Sequence, residues 1–467
     1  MTERFDVVVV GARCAGSPLG ALLARRGLKV AVLEQVTFPR PTLSSHVMQA
    51  DSLAFLNRLG VIDQVRATGA PFMSRCDVRL GDFRFTAGFP LHLGDVGGAA
   101  AVRRHLLDPI LAGAAADAGA DVRLGTRVTA LVTEGGRVVG VRALRDGSES
   151  EIRAGLVVGA DGRDSTVARM TGARRYNVTE SERVYYWTYF EGANLGAAPT
   201  FVFHRWGDRH IFSGPADSGL YLVGVSPREH EVEMFRRDLA GSLMAHVNSC
   251  APIADTLRDA NRATKIYGIL RFEGYFREAS GPGWVLAGDA GHFKDPAAGR
   301  GIGDAFHQVE TLAPMIESGL ATSRAALDSA MGDFVRWRDK QYSSYYWMAA
   351  DFGRLGAVPV VLPAVTRRLY DSGQINRLLE MFAHRVSPAE LLTPGRLVGG
   401  VAAVLAGASG RRGPAAREIA SLLATEARRR RLNKRPVFAA TAANRADRRL
   451  RSGQPDPDAR LEWELTP

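Results

Sequence analysis

Gly11-Ala-Arg13-Cys-Ala15-Gly16 is a variant of the turn G-x-G-x-x-G, with Arg13 standing where a second glycine is usual. Its chemistry is anion binding. Gly11 permits a sharp exit from a strand, Gly16 lets the following helix sit close to the sheet, and the helix N-terminus offers free N–H groups to a pyrophosphate. Glu34 lies 23 residues beyond Gly11, at the end of the next apolar run. A carboxylate there accepts hydrogen bonds from an adenosine ribose and repels a 2′-phosphate, which selects FAD or NAD over NADP. Two further apolar runs end in glycine and aspartate: Gly159-Ala-Asp161-Gly162, and Gly288-Asp289, which continues to Gly299-Arg300-Gly301. Asp289 is placed to hold sugar-chain hydroxyls, and its bland alternative is a helix N-cap. For Asp161 the bland alternative is a turn aspartate.

The elements that must position these corners follow from apolar patterning. Phe5–Val10 and Lys29–Leu33 read as buried parallel strands around a helix from Ser17 to Arg26, a right-handed crossover unit. A helix over about 103–118, β segments at 121–124 and 127–133, a hairpin at Gly135-Gly136 and a strand at Leu156–Gly159 extend that layer. From about Tyr176 the runs 184–190, 200–204 and 220–225 turn β-branched and aromatic, the texture of an antiparallel sheet that the hairpin 77–80/83–86 can join. Period-2 alternation sets Tyr185, Trp187 and Tyr189 on one face, either a cavity wall or core against a C-terminal helix. The parallel texture returns at Trp284–Ala287, and beyond about Gly303 the chain reads as helical. The expected fold is α/β. A Rossmann-like dinucleotide domain in discontinuous segments (1–70, 98–174, 275–320) carries an inserted antiparallel substrate domain (71–97, 175–274) and a helical C-terminal region (321–467).

Three ordered motifs, the G-x-G-x-x-G variant, Asp161-Gly162 and Gly288-Asp289, resemble the flavoprotein monooxygenases of the aromatic-hydroxylase type, whose superfamily includes geranylgeranyl reductases and flavin halogenases. The likeness covers roughly residues 5–310. Together with Thr42-Leu-Ser-Ser-His46 and Phe293-Lys-Asp-Pro296, the first turn looks closest to a bacterial subgroup of FAD-dependent oxidoreductases. The resemblance implies FAD, held by Gly11, Arg13, Ala15, Gly16, Glu34, Arg104, Val128, Asp161, Gly288, Asp289, Gly299 and Gly301. Arg104 matches the family's flavin-contacting arginine, whereas Arg300 stands where the family usually has glutamine. Tyr185, Trp187 and Tyr189 are candidate substrate contacts; His46 is either a substrate or flavin ligand or a hydrogen-bonded loop residue. The implied reaction is insertion of one oxygen atom into a small apolar or aromatic substrate through a flavin C4a-hydroperoxide, with no catalytic residue singled out. No second glycine fingerprint holds a nicotinamide nucleotide, so NADH or NADPH is a transient reductant or a separate flavin reductase supplies electrons. The rivals are a reductase of isoprenoid-type double bonds and a flavin-bearing sensor with a nucleic-acid-binding tail.

Composition narrows the classes. The chain has 467 residues, 46% hydrophobic and 23% charged, with 50 Gly and 22 Pro, which excludes disordered, collagen-like and coiled-coil chains. Three scattered cysteines, Cys14, Cys76 and Cys250, build neither a disulfide framework nor a zinc site and point to a reducing, cytoplasmic setting. No metal is expected. Leu397–Ala408 is too short to span a bilayer. Between Arg411 and Arg451 stand 13 Lys and Arg against 3 Asp and Glu, nearly all of the net +11. That charge reads as a solvated, partly helical tail around Arg428–Arg431 without interleaved aromatics, so nucleic acid is not expected as a partner. A monomer or homodimer is expected.

Overall fold

In the computed structural model, residues 3–42, 44, 46–269, 272–407 and 412–439 are described. A mixed sheet has a parallel core in the order Trp284–Leu286, Ser148–Gly159, Glu3–Val10, Val30–Glu34, Asp121–Leu124. At its centre Val7–Val10, Val30–Glu34 and Leu156–Gly159 are buried, which is why these segments read as nearly unbroken apolar runs. An antiparallel meander, Arg127–Glu134 and Arg137–Arg145, extends the long Ser148–Gly159 strand. Helix Gly16–Ala24 lies on the sheet at close range: a Cβ added at Gly20 would stand 2.6 Å from Val32 Cγ2. Against it runs helix Gly301–Thr322, whose Ile302, Ala305, Phe306, Val309, Leu312 and Ile316 recur at helical spacing and enter the same core.

The second sheet has the order Asn261–Arg262, Tyr185–Glu191, Tyr221–Ser226, Arg209–Pro215, Thr200–Trp206, Arg75–Leu80, Phe83–Gly88. Its pairings are antiparallel except one: the early strand Arg75–Leu80 lies parallel to Thr200–Trp206, with Phe203 opposite Val78. One face, including Tyr186, Ile211, Val223 and Val225, packs with Phe235, Leu243, Val247 and Ile253 of three short helices. On the other face one register row runs Trp187, Gly224, Phe212, Phe203, Val78, Phe85.

A three-stranded sheet, Arg175–Glu180, Glu273–Arg277 and His292–Phe293, joins the layers. Fully buried Arg338 of helix Arg324–Phe352 locks it by donating to the carbonyls of Gly291 and Arg277, each at 2.9 Å. Helices Val361–Asp371, Asn376–Phe382, Pro394–Gly407 and Arg412–Lys434 follow. Of the basic run, Arg429 forks onto Asp351 and lies over Trp347, whereas Arg428, Arg430 and Arg431 are exposed. The remainder of the tail from Ala440 lies outside the described residues. No helix among the described residues is long and apolar enough to cross a membrane.

Candidate cofactor and substrate site

The three glycine corners meet at the carboxyl ends of the parallel strands. Gly11 has φ +100°, and a Cβ there would sit 2.6 Å from the Ala160 carbonyl oxygen, so the first corner is pressed against the second. A Cβ at Gly16 would fall 1.7 Å from the Gly11 carbonyl oxygen. Gly288, at φ +60°, directs its missing Cβ to within 3.0 Å of the Ala15 Cβ, so the third corner closes on the first. At Gly299 and Gly301 an added Cβ would meet nothing within 4 Å, so that loop borders open space.

The acids divide by what they already hold. Glu34 is buried and accepts from Ala12 N at 3.0 Å and Val36 N at 3.2 Å, one on each oxygen, which aims its remaining lone pairs. Asp161 accepts from Ser165 Oγ at 2.6 Å and from the amides of Thr166 and Val167 at 2.7 and 3.2 Å. Its role is therefore to cap the helix Thr166–Met170 and shape the corner beneath Gly11, although burial pushes its carboxyl upward. Asp289 differs: its carboxylate makes no hydrogen bond to the described residues, and burial raises it to about 6 while Arg163 opposes the shift. A half-buried carboxylate without a donor is suited to hydroxyls from outside the chain.

Asp108, wholly buried, stands four residues after Arg104 on the helix Arg104–Asp117. It accepts from Arg104 Nε at 2.6 Å and Arg13 Nη1 at 3.2 Å. Arg13 is thereby drawn to Asp108, with its guanidinium 5.8 Å from the Phe38 ring, so the bulky replacement for the second glycine leaves the turn open. Arg300 also turns inward. It forks onto Asp51 at 2.8 and 2.5 Å, so its side chain is not offered where the family carries glutamine. Val128 packs in the apolar cluster beneath the sheet with Val10, Leu33 and Val167, two residues after Thr126, whose amide bonds the Glu34 carbonyl.

Between the second sheet and the Pro296–Gly299 loop lies a partly open, mainly apolar cavity. Phe201, Phe203 and Phe212 form its sheet wall, Leu379 and Phe382 close it from helix Asn376–Phe382, and Phe89, Gln49 and Cys76 complete the rim. None of Tyr185, Trp187 and Tyr189 lines this cavity. They share the cavity's face but stand beyond the intervening Tyr221–Ser226 strand. Trp187 stacks on Tyr267, Tyr185 meets His210 Nδ1 at 3.3 Å, and the Tyr189 hydroxyl bonds His46. His46 is held as a loop residue by that bond, and burial lowers it to about 3, so its ring is neutral.

The residues present fit a stretched dinucleotide: a glycine cradle a Cβ would fill, a primed ribose acceptor at Glu34, and the donorless Asp289. Comparison with known proteins agrees. Residues 4–252 match the family model described as FAD binding domain. A digeranylgeranylglycerophospholipid reductase of Methanocella arvoryzae is 28% identical over 314 residues, 65% of this chain and 74% of that protein. The 6-methylpretetramide 4-monooxygenase of Streptomyces rimosus is 27% identical over 325 residues, 68% of this chain and 76% of that one. In fold, the flavin-dependent brominase Bmp2 superposes with a TM-score of 0.67 at 19% identity, over 80% of this chain and 93% of its own. With more than half its length matched, the chain belongs to the FAD binding domain family and is an FAD-dependent oxidoreductase.

Proposed function

We propose that the chain is a monooxygenase that adds one oxygen atom to a small apolar or aromatic substrate seated in the phenylalanine-lined cavity. The observation that carries this reading is the cavity wall itself. It is built of rings and aliphatic groups, and its proton-bearing side chains are the Gln49 amide and the Cys76 thiol, which burial pushes up to about 12. Oxygen transfer needs a dry site and no acid from the wall. Saturating a double bond needs a proton delivered to carbon, and Gln49 and Cys76 are the protic side chains this wall offers.

FAD, when bound, supplies the electrons and the reaction with dioxygen. The chain's own residues hold and shield it. Backbone from Gly11 to Gly16 and the start of helix Gly16–Ala24 would take the pyrophosphate, Glu34 the adenosine ribose and Asp289 the ribityl hydroxyls. The N-terminus of helix Gly301–Thr322 would favour negative charge on the reduced ring. NADH or NADPH would reduce it transiently, or a separate flavin reductase would do so, and a cytoplasmic monomer or homodimer suits either route.

The second reading, reduction of an isoprenoid-type double bond, draws on the curated relatives named as reductases. Incubation with NADH or NADPH and a panel of aromatic and isoprenoid compounds separates the two. A product heavier by one oxygen atom, labelled from isotopic dioxygen and absent without it, supports monooxygenation. A product heavier by two hydrogens and formed equally without dioxygen overturns it.

A further inference from the structure

Gln49 is the one polar side chain of the cavity left without a partner. It is 7% exposed, and its amide makes no hydrogen bond to any described residue. It ends the short strand Val47–Gln49, paired with Ala99, and directly precedes helix Ala50–Arg58, yet its side chain does not cap that helix. The other polar group in the wall is committed, because the Cys76 thiol points at the Ala87 carbonyl at 3.6 Å. Gln49 is also fixed relative to the cofactor loop. Asp51, one residue into the helix, is gripped by Arg300, which lies between Gly299 and Gly301.

This amide, still reached by solvent at the cavity, offers two donors and one acceptor, and leaving them unmet when a ligand dries the cavity is costly. Nothing else in the wall calls for that cost. We propose that Gln49 selects the substrate class: an otherwise apolar, ring-bearing molecule with a single hydroxyl, carbonyl or amide edge, oriented by that edge against the Pro296–Gly299 loop. This rests on the cavity being the substrate site of the proposed monooxygenase, and it makes Gln49 a specificity-determining residue.

The test is equilibrium binding to the oxidised FAD-loaded protein, without reductant, so that it is independent of which reaction follows. A naphthol, the methylnaphthalene of the same shape and a naphthyl methyl ketone are titrated against the flavin absorbance. Wild type should prefer the naphthol and the ketone over the hydrocarbon by about tenfold, one hydrogen bond's worth. Gln49→Met keeps the volume and should bind all three alike, with unchanged FAD content. Gln49→Glu, which only accepts when ionised, should keep the naphthol and reject the ketone. A wild-type protein indifferent to the polar edge, or a Gln49→Met variant that retains the preference, overturns the assignment. So does loss of FAD from Gln49→Met, which would make Gln49 a cofactor contact. If the preferences hold while turnover proves to be oxygen-independent reduction, the monooxygenase reading fails and the selection by Gln49 stands.

Discussion

Replacing Asp289 by asparagine separates the burial of a charge from the burial of a polar group at the crevice. Burial moves the carboxyl from 3.8 up to about 6, with Arg163 pulling the other way. The unfolded chain releases this proton near 3.8 and the folded chain near 6. Between those values the folded state holds the extra proton, so stability falls as pH rises through the window, and the full loss is in place above about pH 7. A rise from 3.8 to about 6 corresponds to about 3 kcal/mol, a ceiling because the carboxylate keeps part of its surface open. Asparagine does not titrate. In flavin-free protein, the stability of Asp289→Asn relative to wild type should therefore improve by about 2–3 kcal/mol between about pH 4 and pH 7.5, read by urea unfolding. With FAD added the order reverses: wild-type affinity should weaken below about pH 6, whereas the variant should bind weakly at every pH. A relative stability that stays constant with pH, or an asparagine variant that binds FAD as tightly as wild type at pH 7.5, refutes the reasoning.

Two further substitutions probe the two halves of the site. Gly16→Ala drives a Cβ to 1.7 Å from the Gly11 carbonyl oxygen, so the turn must open and FAD content after purification should fall at least tenfold, measured by visible absorbance. Gly224→Ala sets a Cβ 2.1 Å from Phe212 Cζ and pushes that ring into the cavity. KM for the aromatic substrate should rise about tenfold or more with FAD affinity unchanged, a pattern that steady-state kinetics and flavin titration resolve together.

The nucleotide half was legible because its signals are local. The buried strand segments at the sheet's centre appear as nearly unbroken apolar runs, and each corner needs glycine where another backbone approaches. Glu34 was legible for the same reason, being tied to the turn by chain distance alone. The proposed substrate cavity was not, because its contacts are set by sheet order. Period-2 alternation put Tyr185, Trp187 and Tyr189 on the cavity's face. It could not show that Tyr221–Ser226 would intervene, nor that Arg75–Leu80 would pair parallel to Thr200–Trp206. Phe201, Phe203 and Phe212 became a wall only when helix Asn376–Phe382 closed over them. At Asp108 the i,i+4 partner Arg104 lies on the same helix, whereas the contact from Arg13 appears only when the first turn folds against that helix.

The parallel core also sets a schedule for synthesis. Strand Trp284–Leu286 is the outer parallel neighbour of Ser148–Gly159, and its following corner closes the cradle against Ala15. A nascent chain cannot close its nucleotide cradle until Gly288 has been made, well over a hundred residues after Ser148–Gly159 has begun. Through that interval apolar strands from the first 160 residues wait beside an unpaired edge. The fold therefore depends on slow, long-range pairing, and this is the stage at which chaperones should matter most for its yield.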